Sequence, residues 1–129
     1  MTCVYLSAEE VVGLSVLAVE GPRVLVRDVG LVAAAAHRPS AMPLGQEAYT
    51  DLFDKAAAFL QSLAKDRPFV DGNKRTAWTS CVVFLALNDV QLRPDIDAAE
   101  HLVRAVASGG VDEVKVISQM LRELAEPSV

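Results

Sequence analysis

The chain has 129 residues, and 12 lysines and arginines against 17 aspartates and glutamates leave a formal charge of −5. That balance argues against a general nucleic-acid binder, which needs a basic surface to displace counterions. Apolar residues make up 52% and the mean hydropathy is +0.30, which excludes disorder, yet the longest strongly apolar run, Cys81 to Leu87, falls far short of the ~20 residues a membrane span needs.

The apolar residues therefore belong to a core, and the length fits a single domain over 1–129. Glu9 and Glu10 interrupt the first apolar stretch, so no secretory leader is expected. Ser7 and Glu10 have the S-x-x-E spacing of a capping box and predict a helix from Ser7. Val11, Val12, Leu14, Val16 and Leu17 would be its buried side, and Gly21-Pro22 its end. Val24 to Arg27 reads as a short extended link. Asp28 can cap a short helix through Leu31 to Ala36, stopped by Arg38-Pro39. Pro39 to Gly45 holds two prolines, a serine and a glycine and reads as a loop. A long helix is predicted over about Gln46 to Lys65, where Tyr49, Leu52, Phe53, Ala56, Phe59, Leu60 and Leu63 recur at steps of three and four.

Pro68 to Gly72 breaks that pattern, and a second long helix is predicted from Asn73 to about Asn88. Trp78, Cys81, Val82, Phe84, Leu85 and Leu87 leave it almost no polar face, which marks a central helix. Asp95 or Asp97 caps the next, with Ala99, Leu102, Val103 and Val106 inside and Ser108-Gly109-Gly110 as its stop. Asp112 can cap the last, with Val114, Ile117, Leu121 and Leu124 inside and Pro127 beyond its end. The sum is an all-α, compact six-helix bundle built around the helix that starts at Asn73. Cys3 and Cys81 show no CxxC or histidine spacing and read as reduced thiols of a cytoplasmic protein, Cys81 filling the core. His37 and His101 fall on separate helices with no partner at metal spacing and read as structural.

Chemistry concentrates in the segment Lys65 to Ala77. Four of the 12 basic residues, Lys65, Arg67, Lys74 and Arg75, fall within 11 positions there, opposed by Asp66 and Asp71. Gly72 permits a positive φ and close backbone approach. The helix start that follows offers free N–H groups and a dipole that favour a phosphate. Lys74 and Arg75 add cationic donors, and Arg75 can fork two oxygens. Asp71 can hold Mg²⁺, which takes carboxylate together with phosphate oxygens. Asn73 can orient an oxygen or cap the helix. Taken alone, Asp71-Gly72-Asn73 also fits an ordinary loop-to-helix turn; Lys74 and Arg75 fit solvated surface charges, and Phe69 an anchor packing the loop onto the core. The P-loop pattern fails because Asn73 stands between glycine and lysine.

The run Arg67-Pro-Phe-Val-Asp-Gly-Asn-Lys-Arg75 resembles the signature H-x-F-x-[DN]-[AG]-N-K-R of the Doc (death on curing) toxins of the Fic superfamily. The likeness extends to Ser7-Ala8-Glu9-Glu10, to Asp51-Leu-Phe-Asp-Lys-Ala-Ala, and from Thr76-Ala77 to Asn88. It implies the compact helical Fic core. It also implies a toxin of a toxin–antitoxin pair. Fic proteins usually transfer a nucleotide monophosphate to a hydroxyl, whereas Doc has lysine where others have a second glycine, and Lys74 stands there. That lysine resembles the kinase variant, in which ATP binds reversed and its γ-phosphate goes to a threonine of translation elongation factor Tu, stopping protein synthesis. A bulky cation fills the space glycine leaves for the α-phosphate, so the nucleotide must lie differently. By resemblance Asp71 binds Mg²⁺, Asn73, Lys74 and Arg75 bind the phosphates of ATP, and Gly72 with the helix start forms the anion hole. The loop Pro39 to Gly45 resembles the Fic flap that docks the target segment.

One position departs from the signature. Its first residue is the histidine that acts as general base, and here it is Arg67. Guanidinium stays protonated with a pKa above ~12, whereas imidazole titrates near ~6.5. Loss of a general base costs ~10²–10⁴ in rate, so this chain is expected to keep the phosphate grip and be nearly inactive. It would be either a natural pseudoenzyme or an inactivated toxin, and the intact remainder of the signature favours the second. An inhibitory helix of the form [ST]-x-x-x-E-[GN] is missing, since Glu20-Gly21 has Val16 at the Ser/Thr place. Inhibition is therefore expected in trans, from a Phd-like antitoxin whose C-terminal helix docks in an apolar groove, with no direct nucleic-acid or membrane partner. Transfer of AMP, and a non-catalytic module that binds antitoxin or nucleotide, are the competing readings.

Overall fold

The computed structural model describes residues 2–18 and 25–127. Six helices organise them: α1 Ala8–Ala18, α2 Val29–His37, α3 Leu52–Asp66, α4 Asn73–Leu87, α5 Ile96–Ser108 and α6 Val114–Leu124, with 3₁₀ turns at Arg38–Ser40 and Pro43–Gly45. Among the described residues the extended pairings are two isolated antiparallel bridges, Val26 with Phe69 and Leu92 with Ala125. The all-α class and the six helices are those the sequence predicts. No described helix is long and apolar enough to cross a membrane.

The start of α1 follows from the capping box. Glu10 N–H donates to Ser7 Oγ at 3.1 Å, and Ser7 N–H donates to Glu10 Oε1 at 3.0 Å. Gly21-Pro22 and Val24 lie outside the described residues. Val16 and Leu17, expected inside, are 57% and 80% exposed, because α1 is covered on the side of Val11 and Ser15 alone. Asp28 caps α2 by accepting from Leu31 N–H at 3.1 Å. α2 ends at His37, stopped at Arg38-Pro39 as expected, and the chain tightens there into a 3₁₀ turn with the proline in its first positions, where a missing N–H costs nothing.

The boundary of α3 differs from expectation. Asp51 accepts from Phe53 N–H at 2.8 Å and starts the helix at Leu52, while Gln46 is extended at φ −118°, ψ 142°. Tyr49 is not on the helix stripe. It lies with Arg38, whose Nε donates to Tyr49 Oη at 3.2 Å and whose guanidinium sits 5.7 Å from the ring centroid.

The helix enclosed on every side is α3, not the more apolar α4. Every residue from Asp54 to Ala64 is buried, and α3 packs against α2, α4, α5 and α6. By contrast α4 leaves Val82 and Val83 half-buried and Leu87 exposed. Apolar content pointed to the wrong helix because the polar side chains of α3 find partners inside. Lys55 Nζ donates to the Pro39 carbonyl at 3.3 Å, Arg38 Nη1 donates to Ser62 Oγ at 3.0 Å, and Gln61 Nε2 donates to the Asp112 carbonyl. Polar groups satisfied in this way are tolerated in a core.

Asp95, not Asp97, caps α5, accepting from Ala98 N–H at 3.0 Å, and Gly109 ends it at φ 82°. Asp112 does not cap α6. Glu113 holds that place without a side-chain bond, because Asp112 is drawn to Lys65 and Gln61 of α3. The core between α3 and α4 is set by Phe59 and Phe84, edge to face with centroids 5.9 Å apart at 71°. Cys81 is fully buried there, as expected, and burial pushes its thiol up to about 12.

Candidate active site

Residues 67–72 join the two best-packed helices, and this connection with the start of α4 carries every residue singled out from the sequence. Arg67 terminates α3 in the left-handed conformation, φ 51° and ψ 61°. Its carbonyl accepts from Arg27 Nε at 2.8 Å, and the Asp66 carbonyl accepts from Arg27 Nη2 at 2.7 Å. Arg27 thus satisfies two of the last carbonyls of α3, a favourable place for a cation. The extended link is the support of the loop: the N–H groups of Arg27 and Asp28 donate to the Pro68 carbonyl at 2.8 and 3.1 Å, and Val70 N–H donates to the Leu25 carbonyl at 2.9 Å.

Pro39 to Gly45 does not flank the cleft described below. Its start lies over Lys55, and its tip residue Leu44 is fully exposed at φ 55°. The segment that lies against the motif is Leu25 to Asp28.

Phe69 is buried and anchors the loop in the core. Asn73 locks it there: Phe69 N–H donates to Asn73 Oδ1 and Asn73 Nδ2 donates to the Phe69 carbonyl, both at 2.9 Å. The expectation that the Asn73 side chain caps the helix is therefore corrected. Gly72 occupies the cap position at φ 76°, ψ 17°, and Asn73 is the first helical residue, its amide shaping the loop while the residue also lines the cleft described below. Asp71 Oδ1 accepts from Gly72 N–H at 2.8 Å, leaving Oδ2 without a partner among the described residues.

No side chain caps α4, and its first intrahelical bond is Thr76 N–H to the Gly72 carbonyl at 2.9 Å. The N–H groups before it, with the helix dipole, could receive an anion at no cost in broken bonds. They open on a cleft of about 730 Å³ lined by Arg67, Asp71, Gly72, Lys74 and Arg75 from the motif and by Arg104 from α5. Four cationic side chains thus surround one carboxylate. Arg67, Lys74, Arg75 and Asp71 are all exposed, so none is committed to the core. Among the described residues, Asp71 alone of those lining the cleft carries a carboxylate. One carboxylate fits Mg²⁺, which keeps several waters and takes its other ligands from phosphate.

The sequence reading missed Arg104. It stands four residues after Glu100 and beside Val103 of the inner face of α5, so rim placement was readable, but not that α5 folds back over the motif loop. Arg27 was also missed as the clamp on the end of α3. His37 and His101 are exposed on α2 and α5 and line no part of the cleft.

Comparison with known proteins bears on this arrangement. A family model described as the Fic/DOC family matches residues 5–85. A protein called Toxin Doc, from Mycolicibacterium smegmatis, is 45% identical over 118 residues, which is 90% of each chain. A protein called Protein kinase doc, from Escherichia phage P1, is 38% identical over 78 residues, 60% of each chain.

Proposed function

The chain belongs to the Fic/Doc family, and on that premise we propose that it is the toxin of a toxin–antitoxin pair. Its activity would be that of a Doc-like protein kinase, passing the γ-phosphate of ATP to a threonine of translation elongation factor Tu and so blocking translation in the cytoplasm. The observation that carries this reading is the uncapped start of α4 behind Gly72, facing a cleft with Lys74, Arg75 and Arg104 on its walls. The names of the two relatives, a Doc toxin and a Doc protein kinase, support it.

In this reading the first-turn N–H groups of α4 hold one phosphate, and Lys74 and Arg75 hold the others, Arg75 through two parallel hydrogen bonds. Asp71 holds Mg²⁺, which when bound neutralises charge on the phosphate oxygens. Asn73 acts through Phe69 by keeping the loop in shape. Arg67 lines the cleft where the family has its histidine base and cannot accept the proton of an attacking hydroxyl. The form in hand is therefore impaired in transfer while keeping its grip on nucleotide. That same residue favours a second reading, a pseudoenzyme that only binds nucleotide or antitoxin. Transfer of AMP is disfavoured by Lys74.

The test is Arg67→His. It should arrest growth when expressed, and with Mg·ATP it should phosphorylate elongation factor Tu about 10²–10⁴ times faster than the Arg67 form. Mass spectrometry separates added phosphate from added AMP. An Arg67→His protein that is inert in both assays removes the kinase reading, and binding of ATP without turnover favours the pseudoenzyme.

Restraint is proposed to come from a Phd-like antitoxin whose helix lies on exposed apolar surface. Val16 and Leu17 of α1, at 57% and 80% exposure, offer such surface. Calorimetry with the product of the neighbouring gene tests this, and absence of binding removes it.

A further inference from the structure

A second groove adjoins the phosphate cleft. It holds about 400 Å³ and runs between α4 and α5, with Trp78, Ile96 and Val103 on its apolar walls and Glu100 on its edge. Lys74, Arg75 and Arg104 line both spaces, so the two adjoin across one row of cations. Among the described residues no aromatic lines the larger cleft, which suits phosphates and offers no flat apolar surface to a ring. The groove is the converse. Its volume is that of a small-molecule site. Trp78 is half-buried in it, and Ile96 is 75% exposed beside it.

The geometry points to Trp78 as the platform on which the base of the nucleotide stacks, with Ile96 and Val103 closing its apolar contacts. This rests on the phosphate-site reading above and deepens it by placing the other end of the same ligand. A molecule that carries several negative charges at one end and a flat ring at the other matches a cationic divide with an indole beyond it. Every nucleobase presents a π-face, and indole is a large rigid partner for it. Glu100, the one carboxylate of this groove, is an acceptor for the sugar hydroxyls. Because Trp78 contacts only the part of the donor that does not react, it is a positioning residue for affinity and donor choice.

Trp78 is the sole tryptophan of the chain, so its emission reports on this groove without interference. The experiment titrates the Arg67 form with Mg·ATP and, separately, with Mg²⁺ and inorganic tripolyphosphate, following tryptophan emission and heat of binding together. Both ligands should bind by calorimetry, and only ATP should quench or shift the emission. Trp78→Ala should weaken ATP about tenfold or more and leave tripolyphosphate within twofold, with Trp78→Phe in between. The wild-type emission arm needs no variant and stands if Trp78→Ala fails to fold. Binding of both ligands with unchanged emission overturns the base platform and leaves the phosphate site intact. Failure of both ligands to bind overturns the phosphate-site reading, and the platform with it. Emission that responds to the antitoxin and not to ATP assigns the groove to a protein partner and also overturns the proposal.

Discussion

Arg67 and Asn73 show how much the loop asks of single residues. Arg67 takes a left-handed turn at φ 51°, where a side chain other than glycine is under some strain, and Arg27 holds its carbonyl in place. Gly72 makes the opposite end of the same loop at φ 76°. Gly72→Ala should cost about 1–2 kcal/mol in urea unfolding, the penalty for Cβ in that region; a change near zero would mean the backbone had relaxed out of it. Asn73 carries more. Its amide makes two 2.9 Å bonds to the backbone of buried Phe69, and removing it leaves a buried N–H and a buried carbonyl unpaired. At roughly 1–3 kcal/mol for each such loss, Asn73→Ala should destabilise by about 2–6 kcal/mol and weaken phosphate binding as the loop loses its shape. Weakened phosphate binding with stability unchanged would instead mean that Asn73 meets the ligand directly.

At the scale of elements, α3 is tied to α6 by two acids. Asp51 caps α3 and pairs with Arg122, which also lies 4.6 Å over the Phe53 ring. Asp51→Ala should cost about 1 kcal/mol for the lost cap. That loss should persist at high salt, where an exposed ion pair would be screened away. Asp54 is buried and pairs with Lys115. Burial raises its carboxyl, but the hydrogen bonds from Lys115 and Ser118 and the charges of Lys115 and Arg122 outweigh it, and the net direction is down. A lowered carboxyl contributes stability above its unfolded pKa of about 3.9, and that contribution is lost as pH falls through the folded value. The stability gap between wild type and Asp54→Asn, followed by thermal melts, should therefore be widest above pH ~4 and close in stronger acid. A gap that widened as the pH fell would reverse the sign of the coupling.

These same elements show what was legible beforehand. The start of α4 at Asn73 and the caps Ser7, Asp28 and Asp95 depend on residues within one turn, and local chemistry fixes them. The start of α3 is not legible locally, because Tyr49 falls on helical spacing while its real partner, Arg38, is 11 residues away. Asp112 fits a cap by local pattern alone, but Lys65 and Gln61, more than 45 residues off, compete for it. The motif half of the cleft was contiguous and readable. The Arg104 wall depends on packing between distant helices, which no local pattern reveals.

On the scale of the whole molecule, a chain of net charge −5 concentrates cations on one cleft at the joint of α3 and α4, so ligand binding and global opening should be coupled. Cys81 makes that measurable. It sits inside the α3–α4 contact, 3.9 Å from the Ala56 carbonyl, with its thiol pushed up to about 12 by burial. Thiolate is the reactive form, so in the folded protein at pH 8 Cys81 is both inaccessible and protonated. Cys3, the only other cysteine, is half-buried near the surface. A thiol reagent should therefore label one cysteine quickly and the second only as the helix pair opens. When opening and closing are fast relative to labelling, the second rate follows the open population. A ligand that binds only the closed form lowers that population by the factor 1 + [L]/Kd. Mg·ATP at a hundred times its Kd should then slow the labelling of Cys81 about a hundredfold and leave Cys3 unaffected, whereas Asn73→Ala should speed it. Labelling of Cys81 as fast as Cys3, or with no response to saturating nucleotide, would show that the cleft and the α3–α4 core open independently.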